Sequence, residues 1–220
     1  MNIIGGFLGN DSTFGRFMTK VGTVIAANIL FAICSIPIVT IGAAWKGLYH
    51  TMFSMLEAED AINPFKTFWQ GFRKNFVRTT LYWLAFAAVM ILGYIDLQVC
   101  MQVSGGIQYF SAGVIAVMIV LLVIAIYLFP LLSVYTGKLK EVLQKALFFA
   151  MNRPLKLVVI LLLHVIPAAL YCLDEVNRPT YAFIGAFFGF GVIALITAKL
   201  MVSQVRKYPE SRGPADRKTA

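Results

Sequence analysis

Long apolar runs separated by short polar connectors are the clearest pattern along the chain. Four of these runs carry almost no charge, and each is long enough to cross about 30 Å of hydrocarbon as a helix of roughly 20 residues. They cover residues 79–103, 110–135, 155–173 and 180–202. The members of each pair are joined only by residues 104–108 and 174–179. Each pair is therefore predicted to form a transmembrane hairpin.

The N-terminal part is a longer apolar stretch, residues 17–56, interrupted at Ser35-Ile36-Pro37. A single crossing over residues 21–44 would give the protein five spans. Two crossings, over residues 17–36 and 37–56, would give six. The hydrophobic pattern allows both topologies, so the positions of the charges have to distinguish them.

The basic residues favour six spans. Seventeen of the nineteen Lys and Arg residues fall into segments that a six-span path places on one side of the membrane. Under the positive-inside rule these segments, which include residues 58–78 and 136–156, are cytoplasmic. An odd number of crossings would place Arg16 and Lys20 outside, whereas six crossings make both termini cytoplasmic. Six crossings also place Lys46 inside the membrane, where a cation is costly unless it is paired or hydrated.

Composition supports the same class of protein. Apolar residues make up 60% of the chain and charged residues only 13%, about half the roughly 25% of soluble domains. We predict an all-α polytopic membrane protein, with residues 1–206 as one helical domain and 207–220 as a short, disordered cytoplasmic tail. The net charge of +9 is spread over the cytoplasmic segments and suits anionic lipid. Nucleic-acid binding is not expected.

Two cytoplasmic connectors are predicted to contain amphipathic helices that lie on the membrane surface. The first begins with Asn63 as N-cap and Pro64 at the first helical position, and it has an aromatic face opposite a basic face. The second has an aliphatic face opposite lysines. The residues predicted to contact the bilayer surface or a partner are Phe65, Phe68, Trp69, Phe72, Arg73, Lys74, Leu139 and Leu143.

Proline and glycine positions predict a helix break and close helix packing. Pro37 cannot donate a backbone hydrogen bond, so a break or tight turn there needs neighbouring partners for the freed carbonyls. The last span carries a Gly-x-x-x-Gly pattern, which permits close approach of helices in membranes. The positions assigned to the break or to packing are Pro37, Thr40, Gly42, Gly47, Gly185 and Gly189.

Three ionisable side chains within the apolar segments are candidates for a substrate-binding site. Lys46 and His50 lie four residues apart, on one face of the second span, and His164 lies near the middle of the fifth. Such groups usually face a bundle interior or a hydrated cavity, so these three are predicted to line a common polar cavity. Alternatively, each histidine is neutral and bonded to a carbonyl or hydroxyl, and Lys46 extends to the membrane surface.

Enzymatic chemistry is not indicated. The chain has no Gly-x-Ser-x-Gly, His-Glu-x-x-His or Walker loop and no pair of carboxylates within a span, so no catalytic residue is assigned. Its three cysteines are isolated from one another and lack the spacing of a metal site or a disulfide framework. We therefore expect no enzyme activity, no metal and no cofactor.

The segment Cys34-Ser35-Ile36-Pro37-Ile38-Val39-Thr40-Ile41-Gly42-Ala43-Ala44 resembles the YesL family of bacterial integral membrane proteins, a domain of unknown function. It is the most specific part of that resemblance. Other matching segments are Gly15-Arg16-Phe17, Asn28-Ile29-Leu30, Gly47-Leu48-Tyr49, Phe72-Arg73-Lys74-Asn75-Phe76, Phe129-Pro130-Leu131 and Ala182-Phe183, so the resemblance covers nearly the whole chain. The sequence departs from the family at Trp45-Lys46, where the family has small or hydroxyl residues. The resemblance therefore implies no role for Lys46.

The resemblance implies a location and a process rather than an established activity. It points to the bacterial cytoplasmic membrane and to an accessory role in carbohydrate or oligosaccharide uptake, with the permeases or the solute-binding protein of a sugar ABC transporter as partners. Two alternatives stay open. The protein is either a self-contained transporter of a small solute with a polar midplane site, or a purely structural membrane scaffold.

Overall fold

The computed structural model describes residues 13–102, 108–135 and 137–207. About 90% of that part of the chain is helical, and it contains no strand. The predicted tail beyond Lys207 and most of the predicted outer turn at 104–108 lie outside the described residues. The prediction of an all-α polytopic membrane protein is confirmed.

The helices follow one another with short connections. Their bounds are α1 (Thr13–Ser35), a 3-10 turn (Ile38–Thr40), α2 (Ile41–Glu57), α3 (Pro64–Arg73), α4 (Phe76–Gln102), α5 (Gln108–Val134), α6 (Leu139–Asn152), α7 (Pro154–Leu173), α8 (Arg178–Ile184), a π-helical segment (Gly185–Gly189) and α9 (Phe190–Lys207). The last three run on as one helix.

Among the described residues, five helical runs are long and apolar enough to cross a membrane. They are Phe14–Ser35, Phe76–Cys100, Phe110–Val134, Pro154–Leu173 and Arg178–Arg206. The N-terminal apolar stretch forms two helices rather than one, and only α1 belongs to these five. α2, the second of the six predicted crossings, has 17 residues, at the short end of the roughly 17–25 that cross a bilayer. By length and composition the described residues thus give the five spans of the alternative topology.

The break between α1 and α2 falls at Pro37, where the sequence predicted it. The Thr40 hydroxyl lies 2.6 Å from the carbonyl oxygen of Cys34 and 2.7 Å from that of Pro37. The indole Nε1 of Trp83 in α4 donates to the carbonyl oxygen of Ile38 at 2.8 Å. These contacts supply partners for carbonyls that a continuous helix would have bonded internally.

α2 is the central helix of the bundle. It contacts α1, α3, α4, α5 and α9, and eleven of its 17 residues are buried. Two glycines permit this packing. A Cβ atom at Gly42 would collide with Cβ of Trp83 in α4, and one at Gly47 would lie 3.1 Å from the carbonyl oxygen of Phe68 in α3. Both glycines therefore occupy the close-packing role that their positions suggested.

The π-helical segment is held against α1 by a buried asparagine. The side chain of Asn28 is fully buried, and its Nδ2 donates to the carbonyl oxygens of Gly185 at 3.1 Å and Ala186 at 2.5 Å. Its Oδ1 accepts from the backbone N–H of Gly191 at 2.6 Å. A π-helical turn leaves backbone groups without their usual helical partners. The Asn28 side chain bonds two carbonyl groups at the start of the π-helical segment and one N–H group just after its end.

The Gly-x-x-x-Gly pattern lies in this π-helical segment, and the carbonyl oxygen of Gly185 accepts from Asn28 of α1. The atoms nearest to a Cβ placed at Gly185 or Gly189 belong to the same helical run, to Phe190 and Ile184 respectively. The close approach of another helix occurs instead at Gly191, where a Cβ would lie 2.9 Å from a side-chain carbon of Val24 in α1.

Candidate functional site

Tyr49 and His164 form a hydrogen-bonded pair between α2 and α7. The Tyr49 hydroxyl lies 3.3 Å from His164 Nε2, and His164 Nδ1 lies 2.8 Å from the carbonyl oxygen of Ile160. Because a carbonyl oxygen only accepts, Nδ1 carries the proton, and Nε2 is left to accept from Tyr49. Both ring nitrogens therefore have partners when the histidine is neutral.

Aromatic rings close the space around this pair. Trp45 stacks on Tyr49 with ring centroids 5.6 Å apart, and its centroid lies 6.3 Å from that of His164. Phe31 of α1 and Phe190 of α9 lie 4.7 Å and 5.9 Å from Trp45, again between centroids. His164 is thus part of a packed aromatic cluster at the side of α2 that faces α1, α7 and α9.

His50 lies against α3 instead. It is half-buried, and a Cβ atom placed at Gly71 would lie 2.5 Å from Cβ of His50. α3 therefore passes close to His50 at Gly71. The two histidines face different helices.

Lys46 faces a small cavity between the start of α4 and the end of α5. The cavity has a volume of about 10 Å³ and is lined by Lys46, Asn75, Arg78, Thr79, Leu132, Tyr135 and Gly137. That volume holds about one water molecule. Neither His50 nor His164 is among the lining residues, so the structure does not bring the three predicted site residues together here.

The Lys46 ammonium group has no hydrogen-bond partner among the described residues. Its side chain is only 2% exposed, and the Nζ atom is buried without a bond. Lys74 and Arg78, both cations, act on it electrostatically. Arg78 itself donates to the carbonyl oxygen of Gly137 at 2.6 Å and to the Tyr82 hydroxyl. A buried, unpaired cation of this kind is costly, and such groups usually bind a counter-charge.

The aromatic face of α3 divides into a packed part and an exposed part. Phe68 is fully buried, whereas Phe65 is 61% and Trp69 47% exposed. Phe72 packs partly buried against the core, and the guanidinium of Arg73 lies 5.6 Å from the Trp69 ring centroid. The exposed side of α3 therefore includes Phe65, Trp69 and Arg73.

α6 divides in the same way. The predicted residues Leu139 and Leu143 are partly buried and pack against the core. The large exposed apolar side chains are Leu147, Phe148 and Met151, which the sequence did not single out. The residues chosen from the pattern are thus on the protein-facing side of α6.

Sequence reasoning also missed the residues that surround Lys46. Asn75 precedes α4 with a positive φ of 55°, a conformation that asparagine adopts more readily than most residues. Its carbonyl oxygen accepts from the Thr79 N–H at 3.0 Å. The Asn75-Phe76 step was a usable signal for a turn and a helix start, but nothing in the sequence indicated that this turn would lie beside Lys46.

No group of three or more His, Cys, Asp or Glu side chains that could hold a metal occurs within the described ranges. Cys34, Cys100 and Cys172 are free thiols. Cys172 is exposed near the end of α7, Cys100 is buried in α4, and Cys34 is intermediate.

Comparison with known proteins finds one family. Residues 24–97 match the model of a family described as "Protein of unknown function, DUF624". No curated protein and no solved structure matches the chain. The matched segment contains α2 and α3 complete, and with them Lys46, Asn75 and Arg78. About a third of this membrane protein thus corresponds to an uncharacterised domain family.

Proposed function

We propose that this protein is a non-enzymatic accessory subunit of a membrane transport assembly that takes up carbohydrates or oligosaccharides. The carbohydrate part of the proposal is supported by the resemblance of the sequence to the YesL family. The accessory part is supported by the packing around α2. Its partners are proposed to be the permeases or the solute-binding protein of a sugar ABC transporter.

The closed centre of the bundle is the observation that carries the accessory role. A solute transporter requires a binding cavity near the membrane midplane, between helices. Here α2 occupies the centre with eleven buried residues, and the His164 region is filled by aromatic rings. The cavity at Lys46, at about 10 Å³, is far smaller than the roughly 300 Å³ of the smallest typical ligand pockets.

The partner surface is proposed to lie on α3. Trp69 and Phe65 are exposed there, and Arg73 lies over the Trp69 ring. Tryptophan and arginine are enriched among residues that dominate the energy of protein interfaces. An exposed aromatic pair next to a cation suits a partner surface with an acidic rim.

We also propose that the protein lies in the bacterial cytoplasmic membrane with both termini and α3 inside, which requires α2 to form a sixth crossing beside the five long apolar helices. Cysteine labelling in intact cells tests this orientation. In a background without the native cysteines, Val176→Cys in the connector before α8 is expected to react with a membrane-impermeant maleimide. Lys66→Cys in α3 is expected to react only after lysis. The reverse pattern would contradict the orientation.

Purification from the organism that encodes the protein tests the accessory role. Cells grow on a complex polysaccharide, and the tagged protein is isolated in mild detergent and examined by mass spectrometry. We expect permeases or a solute-binding protein of a sugar transporter in stoichiometric amounts. The double variant Phe65→Ser/Trp69→Ser should lose them, while the control Val176→Ser, at a still more exposed apolar position, should retain them.

The competing function gives a different result in the same system. If the protein is isolated alone, and if proteoliposomes containing only this chain take up a labelled oligosaccharide, it is a self-contained transporter. If the protein is isolated without partners and takes up no oligosaccharide, it is a structural scaffold. Either result would overturn the accessory proposal.

A further inference from the structure

The cavity at Lys46 combines three features that favour a negatively charged ligand. Its inner wall carries the Lys46 ammonium group, 2% exposed and without a hydrogen-bond partner among the described residues. Its rim carries the half-buried Arg78 and the exposed Asn75. Lys74 and Arg78, both cations, act electrostatically on Lys46. The two charged side chains that line the cavity, Lys46 and Arg78, are thus both cations.

The first turn of α4 adds partial positive charge next to these cations. Asn75 precedes the helix, and its carbonyl oxygen accepts from the Thr79 N–H at 3.0 Å. The first N–H groups of a helix lack partners within the helix and carry a partial positive charge. α4 has 27 residues and begins beside the cavity, so the N–H groups that precede Thr79 in its first turn lie near Lys46 and Arg78.

The hydrogen-bonding capacity of Arg78 is not exhausted by its structural bonds. Its Nε donates to Tyr82 and one Nη to Gly137, whereas a guanidinium carries five N–H donors. These bonds fix the guanidinium in place at the rim. A fixed guanidinium beside an ammonium is a suitable arrangement for the tetrahedral oxygens of a phosphate group.

We propose that Lys46, Arg78 and the first turn of α4 bind a phosphate oxyanion, with one oxygen entering the cavity to accept from Lys46 Nζ. The cavity of about 10 Å³ admits one oxygen atom, while the remainder of the phosphate lies at the rim beside Arg78. Two sources carry this chemistry. One is the headgroup of an anionic phospholipid, since basic pockets between membrane helices bind such headgroups; the other is free phosphate.

Thermal unfolding of the purified, delipidated protein in detergent tests the site. Phosphatidylglycerol, phosphatidylcholine and inorganic phosphate are added separately, with sodium chloride at matched ionic strength as reference. At about a hundred times the Kd, a bound ligand raises the Tm of a protein of this size by roughly 5 °C. We expect that rise for the wild type with phosphatidylglycerol or inorganic phosphate.

Three variants connect the rise to the cavity. Lys46→Met should lose it, and Lys46→Arg should keep it. Lys66→Met removes an exposed lysine of α3 with the same change in net charge, and it should also keep the rise. If phosphatidylglycerol alone raises the Tm, the ligand is a lipid headgroup; if inorganic phosphate also does so, the site accepts free phosphate.

Two results would overturn the proposal. One is an equal rise in Lys46→Met and wild type, which would mean that the ligand binds elsewhere. The other is a wild type that gains nothing from either ligand and, by native mass spectrometry, retains no phosphatidylglycerol. The second result needs no variant, so the test stands even if Lys46→Met cannot be purified.

Discussion

The aromatic cluster around His164 and the cavity at Lys46 lie on two sides of α2, and they differ in whether their ionisable group is hydrogen-bonded. At His164 both ring nitrogens have partners, and rings fill the surrounding space. At Lys46 the ammonium group has no partner among the described residues, and the space beside it is open. A polar residue in an apolar segment is therefore not by itself a functional site; one whose bonding capacity is unused is the better candidate.

The largest change in the free energy of unfolding is expected at Asn28, a buried side chain that makes three hydrogen bonds. Asn28→Leu removes hydrogen bonds to Gly185, Ala186 and Gly191 and should lower the free energy of unfolding by about 2 kcal/mol, at the modest value per bond found in membranes. Titration with SDS in mixed micelles measures it. Ile29→Leu, at the adjacent exposed position, serves as control. If both variants were equally stable, the hydrogen bonds of Asn28 would not stabilise the fold.

Lys46→Met should stabilise the protein, whereas Asn28→Leu should destabilise it. Without an anion present, replacing the unpaired buried cation by an apolar side chain of similar length should raise the free energy of unfolding by about 1 kcal/mol. The same SDS titration in phosphate-free buffer measures this, with Lys66→Met expected to stay within about 0.5 kcal/mol of the wild type. A destabilised Lys46→Met would mean that the ammonium group already has a partner.

The Tyr49–His164 bond should give a smaller effect. A double-mutant cycle with Tyr49→Phe and His164→Leu isolates it, and the expected coupling is about 0.6 kcal/mol in favour of the pair. The sum of the single changes includes the packing of both rings and is not the quantity of interest. A coupling indistinguishable from zero would show that the pair is held by packing alone.

The smallest effect is expected at the exposed connector before α8. Its carboxylate, Asp174, accepts from Nδ2 of Asn177 and from the Tyr181 hydroxyl, each at 2.9 Å, and these bonds, that of Asn177 first, lower the pKa of Asp174. A lowered pKa contributes stability above the unfolded-state value of about 3.9. That stability is lost as the pH falls through the folded-state pKa. Thermal unfolding of wild type and Asp174→Asn should converge on acidification, and a constant difference would contradict this.

Much of the fold could be predicted because apolar length and turn chemistry are local properties. The run predicted at residues 155–173 corresponds to α7 (Pro154–Leu173). Asn63 caps α3 as its position suggested, with Oδ1 accepting from the Lys66 N–H at 3.2 Å. The break at Pro37 also follows from local chemistry, since proline lacks the N–H that a continuous helix needs.

The site could not be predicted because it depends on which neighbour covers each turn of α2. Lys46 and His50 share a face by helical spacing, yet α4 and α5 lie beside Lys46 while α3 lies beside His50. The π-helical segment was missed for a related reason. A Gly-x-x-x-Gly pattern shows that close approach is sterically possible, but the partner that determines the backbone there, Asn28, is 157 residues away.

Cysteine accessibility along α2 tests most directly whether the bundle is closed around Ala44 and Thr51 and open at Lys46. In a background lacking the native cysteines, Ala44→Cys, Lys46→Cys and Thr51→Cys are treated with a small water-soluble methanethiosulfonate in proteoliposomes. Ala44 and Thr51 are fully buried, so these variants should stay unmodified while Lys46→Cys reacts. Modification of all three at similar rates would reveal a water-filled path along α2 and contradict the closed centre.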